Sequence, residues 1–168
     1  MPKKLSKTLW ILVAILALIH FAGPNAHAQN ITITFSSDPS GISLAGSGTS
    51  SASMAFGNIQ AYGGAVPAGV TKTLNGTTSW NLSTPLDLLV TLSGLTSANY
   101  MLTAQLGSPD PANTWKLGGV TLSSAAPGTI TASGSYSTTT PYTLGLTIPF
   151  SASAGTISNN INFIVTAN

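Results

Sequence analysis

The chain contains no cysteine, no glutamate and no arginine. Both histidines, His20 and His27, and three of the five lysines, Lys3, Lys4 and Lys7, lie within its first 28 residues. From residue 29 onward the charged side chains are Lys72, Lys116, Asp38, Asp87 and Asp110. Each absence excludes a class of chemistry. Without cysteine there is no disulfide, thiol nucleophile or thiolate metal site. Without histidine beyond the leader, the commonest general base and the commonest transition-metal ligand are missing. Without a basic cluster there is no electrostatic source for binding nucleic acid or an anionic membrane. We therefore expect no enzyme, no catalytic residue, no cofactor, no metal and no nucleic-acid partner, and a structural or binding role instead.

The one long apolar run stands at the start. Lys3, Lys4 and Lys7 form a basic segment, Leu9 to Ile19 an apolar one, and Ala26-His27-Ala28 a small-x-small cleavage signal. This is the order of a secretory leader, and the apolar run is short for a membrane span. Residues 1–28 are thus expected to be a cleaved signal peptide, with export to the cell exterior and no membrane span afterwards. Gln29 would then begin a chain of 140 residues, the 168 less the leader. Two lysines against three aspartates give it a side-chain charge of −1, so the whole-chain pI of 9.1 reflects the leader. At this length a single domain buries enough core without a disulfide.

Beyond the leader, Ser, Thr, Gly, Ala and Asn are interleaved with β-branched and aromatic residues, and the apolar positions recur in short alternating runs. Ile31, Ile33 and Phe35 alternate with Thr32 and Thr34. Ser53-Met54-Ala55-Phe56 reads as a short strand stopped by Gly57, and Val70 to Leu74 leads to an Asn75-Gly76 hairpin signal. Trp80 and Leu82 open a strand that continues after Pro85 from Leu86 to Leu92. Tyr100, Leu102, Ala104 and Leu106 define one face. Trp115 to Leu122 contains a Gly118-Gly119 turn or bulge, and Thr129 to Tyr136 follows. Tyr142, Leu144, Leu146 and Ile148 alternate up to Pro149, and Ile161, Phe163 and Val165 mark a last strand. No segment has a helical apolar period. The pattern predicts an all-β domain of sandwich type.

Other residues invite narrower readings. Asp38, Asp87 and Asp110 are too scattered for the clustered oxygens that calcium requires. Asp87, inside an apolar run, is expected at an edge or near loop amides. Trp80 and Trp115 lie in predicted strands and are expected in the core rather than on a sugar-binding platform. Lys72 and Lys116 read as charges that discourage edge-to-edge aggregation. The Asn-x-Ser/Thr triplets at Asn30, Asn75 and Asn81 follow from composition.

The last fifteen residues, Ala154 to Asn168, contain Gly155 fourteenth from the end, followed by an alternating strand with Phe163 and Val165. This ending resembles the closing strand of chaperone–usher pilins and of related spore-coat-U-like secreted domains. Met54-Ala55-Phe56-Gly57-Asn58-Ile59 resembles a strand end of the same secreted domains. The disulfide common in such pilins is absent, and Ala167 replaces the usual penultimate tyrosine.

The resemblance implies an immunoglobulin-like antiparallel β-sandwich over residues 41–168, completed by a donated strand. Residues 29–40 would be an N-terminal extension supplying that strand through Ile31, Ile33 and Phe35. The acceptor groove would lie beside the last strand, at Gly155, Ile157, Ile161, Phe163 and Val165, with Gly155 allowing a tight backbone approach. The implied product is a head-to-tail homopolymer, a pilus or surface coat outside the cell, with a periplasmic assembly chaperone and an outer-membrane usher as partners. Three buried side chains of this size are worth roughly 5–9 kcal/mol before ordering costs. The same alternation also suits an edge strand of the chain's own sheet, and the sequence leaves the two open. A self-complete secreted adhesin or carbohydrate-binding sandwich is the other function compatible with the sequence.

Overall fold

The computed structural model describes residues 30–35, 43–45, 51–59, 66–93, 97–153 and 155–168. The signal-peptide expectation and Asp38 fall outside them. The described residues contain eleven strands and no helix. The strands are β1 (Asn30–Phe35), β2 (Ser43–Ala45), β3 (Ser51–Asn58), β4 (Thr71–Asn75), β5 (Ser79–Ser93) and β6 (Asn99–Leu106). They continue as β7 (Thr114–Leu117), β8 (Val120–Thr121), β9 (Gly128–Ser135), β10 (Thr139–Pro149) and β11 (Thr156–Ala167).

All pairings are antiparallel, and they divide the strands between two sheets. The first runs β1-β5-β10-β7-β8, with β4 also on β5; the second runs β2-β3-β11-β6-β9. Period-two alternation in the sequence becomes period-two burial. In β6, Tyr100, Leu102, Ala104 and Leu106 are buried while the residues between them are half-exposed. Leu82, Leu86, Leu88 and Val90 of β5 meet Met54, Phe56, Ile161 and Phe163 of the second sheet in one core. Phe56 and Trp115 cross the interior with ring centroids 5.7 Å apart. The architecture is all-β and two-sheeted, consistent with a β-sandwich.

Glycines set the breaks. Gly76 has a φ of +61° and turns β4 into β5 at the expected Asn-Gly position. Gly118 and Gly119, with φ of +57° and +84°, make the β7–β8 hairpin. Gly57 does not end its strand. It takes a φ of +67° where the β3–β11 register shifts between Ile157 and Ser158, so it forms a bulge and β3 runs on to Asn58. Pro85 does not break β5 either. Between the stretch paired with β1 (Leu88–Ser93) and the stretch paired with β4 (Ser79–Ser83), residues 84–87 face no second partner among the described residues. A residue without an N–H is tolerated at such a gap.

Candidate functional site at the N-terminal edge and the last strand

β1 lies antiparallel to the C-terminal half of β5 in the same chain. Ile31 stands opposite Leu92, Ile33 opposite Val90 and Phe35 opposite Leu88. Val90 and Leu88 are fully buried, so the candidate donor positions are in register with the core-facing row of β5. β1 ends the first sheet, and β5 is its sheet partner.

The candidate acceptor residues sit elsewhere. Ile157, Ile161, Phe163 and Val165 belong to β11, and Gly155 just precedes it. β11 is internal to the second sheet, paired with β3 over Thr156–Asn162 and with β6 over Ile161–Ala167. Ile161 and Phe163 are buried, while Ile157 and Val165 are partly buried against the core. Within one chain, therefore, the two candidate sets lie in different sheets and do not pair. Within this chain a Cβ at Gly155 would meet nothing within 4 Å, and its φ is not left-handed.

The few charged groups are spread out. Lys72, on β4, lies 4.5 Å from the centroid of the Trp80 ring. Trp80 also packs on Phe150 at 5.8 Å and is partly exposed, at the margin of the core, whereas Trp115 is fully buried. Asp87 stands opposite Pro141 of β10, in the stretch of β5 that has no second partner strand among the described residues. Lys116 lies opposite Gly145 on β7, internal to the same sheet. Asp110 is a local hub. Its Oδ2 accepts the Trp115 indole N–H at 2.7 Å, and its Oδ1 accepts the Asn113 backbone N–H at 3.2 Å. The Asn113 side-chain amide donates to both oxygens, at 3.1 and 3.0 Å. Among the described residues no three His, Cys, Asp or Glu side chains cluster as metal ligands.

Two features escaped sequence reasoning. Tyr100 and Tyr136 pack with their rings tilted by 54° and centroids 5.0 Å apart. Burial raises the Tyr100 hydroxyl pKa above its usual value, the nearby Thr140 partly opposes this, and Tyr136 adds to it. Burial raises Tyr136, and burial with the nearby Tyr100 raises Tyr142. The second feature is a polar cleft of about 240 Å³ between the β6–β7 loop and the start of β11. The Ser-Pro-Asp-Pro run at 108–111, with Asn113 after it, was the only sequence signal of an ordered loop there.

No family model, curated protein or solved structure matches this chain. Among the described residues no helix is long and apolar enough to cross a membrane.

Proposed function

We propose that the protein is a structural subunit of an extracellular fibre or coat, and that copies are joined by exchange of β1. The observation that carries this reading is the position of β1. It is an uncharged, alternating segment close to the expected mature N-terminus, and it forms the end of a sheet whose inward row at Val90 and Leu88 is apolar. A strand supplied by a neighbour makes the same ladder and fills the same row, so exchange alters few contacts. β11 has partners on both sides only at Ile161 and Asn162, and the edge that β1 occupies is that of β5, so the acceptor in this reading is the β5 edge at Leu88–Ser93. The sandwich is then immunoglobulin-like and completed by the incoming strand. An assembly chaperone would cover that edge until a neighbour replaced it. A head-to-tail contact of this kind does not close on itself and produces filaments.

The pairing of β1 within its own chain also favours a second reading, a self-complete secreted binding module that stays monomeric. Size-exclusion chromatography with light scattering on residues 29–168 and on a form beginning at Ser40 separates the two. Large SDS-resistant assemblies from the longer form alone, shrinking when excess free peptide 29–40 is added, are the expected result. Two folded monomers would establish the binding-module reading. A short form that stays unfolded with the peptide present would end the exchange model.

A further inference from the structure

We infer that the cleft between the β6–β7 loop and the start of β11 is a binding site for one pyranose ring of a neutral sugar. It lies outside the β1 edge and does not depend on polymer assembly. The cleft measures about 240 Å³ and is lined by Ser108, Asp110, Asn113, Gly155, Ser158 and Asn159, among others. Drug-sized ligands occupy pockets of about 300–1,000 Å³, so this one suits a single ring.

Its walls are held before any ligand arrives. The buried Asn159 amide clamps the loop: its Oδ1 accepts the Ser108 N–H at 3.2 Å, and its Nδ2 donates to the Ser108 carbonyl at 3.0 Å. The Gly107 N–H donates to the Asn160 carbonyl at 2.7 Å, tying the loop to β11 a second time. The Asp110 hub fixes the far side through Asn113 and Trp115.

The chemistry of the lining selects the ligand class. A cation is disfavoured because both Asp110 oxygens are already engaged, with four N–H contacts among them. An anion is disfavoured by the same carboxylate. An added peptide strand is disfavoured because the backbone N–H groups of Gly107, Ser108 and Asn160 already have acceptors. What lines the cleft otherwise is hydroxyl-rich, with serines 108, 153 and 158 and Thr156. Hydroxyls both donate and accept, which suits a ligand that is itself a ring of hydroxyls. The lining hydroxyls of Ser108, Ser153 and Ser158 belong to exposed residues, so they can be reached from the open side of the cleft. Gly155 keeps the mouth open. A Cβ there meets nothing within 4 Å and the backbone is not left-handed, so its lack of a side chain is required by neither packing nor conformation.

Saturation-transfer difference NMR tests the site, because the ligand signal is read equally on monomers and on polymers. The purified protein is mixed in turn with glucose, galactose, mannose and N-acetylglucosamine, and with a short oligosaccharide of each. We expect at least one sugar to receive saturation from the protein. That signal should be lost in Gly155→Leu, which plugs the cleft, and retained in Thr121→Leu, an exposed change on β8. If Gly155→Leu fails to fold, Ser158→Ala combined with Ser108→Ala removes two lining hydroxyls and should weaken the signal severalfold. A response to the oligosaccharide alone would identify a glycan chain rather than a free sugar as the source. No transfer to any sugar, or equal transfer to the plugged protein, would overturn the assignment.

Discussion

Asp110 shows how one carboxylate holds a loop in a chain with few charges. It accepts the N–H of an indole that is fully buried, and it also fixes Asn113. Removing it strands the Trp115 donor inside the protein, and an unsatisfied buried polar group costs about 1–3 kcal/mol. Asp110→Ala should therefore lower unfolding stability by about that amount. Urea denaturation followed by tryptophan fluorescence measures it, and an unchanged midpoint would show that water replaces the carboxylate. Gly134 illustrates the opposite case, a position defined by what it leaves out. A Cβ there would sit 2.3 Å from the Tyr100 ring carbon Cζ, and Tyr100 is fully buried. Gly134→Ala forces the ring or the β9 backbone to move, with an expected cost of about 1–3 kcal/mol from overpacking. A thermal melt comparing it with Gly119→Ala separates packing from conformation. Gly119 has open space around its Cβ but a φ of +84°, so its substitution is strained by backbone conformation alone.

Among the elements, β1 and β5 carry the functional reading. β5 is long because it serves three neighbours at once: β10 along one side, and β4 and β1 end to end along the other. Ile33→Asp places a charge opposite the fully buried Val90. A carboxylate in register with that apolar row disfavours the pairing, so β1 should leave the edge in cis and in trans alike. The expected result is loss of polymers with a β-rich circular dichroism spectrum retained. Polymers of undiminished size would remove β1 as the joint. Of the other sheet edges, β4 carries Lys72 and β9 pairs irregularly with β6, with register shifts at two places. A charge and a pair of bulges both discourage unwanted strand addition. Alternation alone made most strands legible. It missed β2, because Ser43, Leu44 and Ala45 are too short a run to show a period.

For the whole molecule, the near absence of titratable groups makes tyrosine the main source of alkaline sensitivity. Tyr100, Tyr136 and Tyr142 all have raised pKa values. Below about pH 10 these groups are protonated in both folded and unfolded chains, so they give stability no pH dependence. Above about pH 10 the unfolded chain releases their protons first, while the folded chain still holds them. Stability should then fall as pH rises from about 10 through the raised folded values. Denaturant midpoints between about pH 8 and 11, with tyrosinate absorbance recorded alongside, check the sign. A midpoint that rises over that range would contradict it. At neutral pH a side-chain charge near zero leaves little repulsion between copies, which suits close packing in a fibre.

Composition and pattern determined several things by themselves. A chain with no cysteine or glutamate, and no histidine after His27, has few side chains suited to acid–base or thiolate chemistry. Period-two runs separated by glycine turns can bury their apolar residues only as strands, and this fixed the buried face of β6 and the hairpin at Asn75-Gly76. Both are local properties, set by side-chain spacing along a few residues of backbone. Pairing between distant strands is not local. The tertiary structure alone decided that β1 lies on β5, that β11 is internal, and that Gly155 opens onto a cleft. It also brought Tyr100 and Tyr136 into contact. Each depends on which strands become neighbours, and two alternating strands of similar composition carry no mark in their own sequence that chooses between partners.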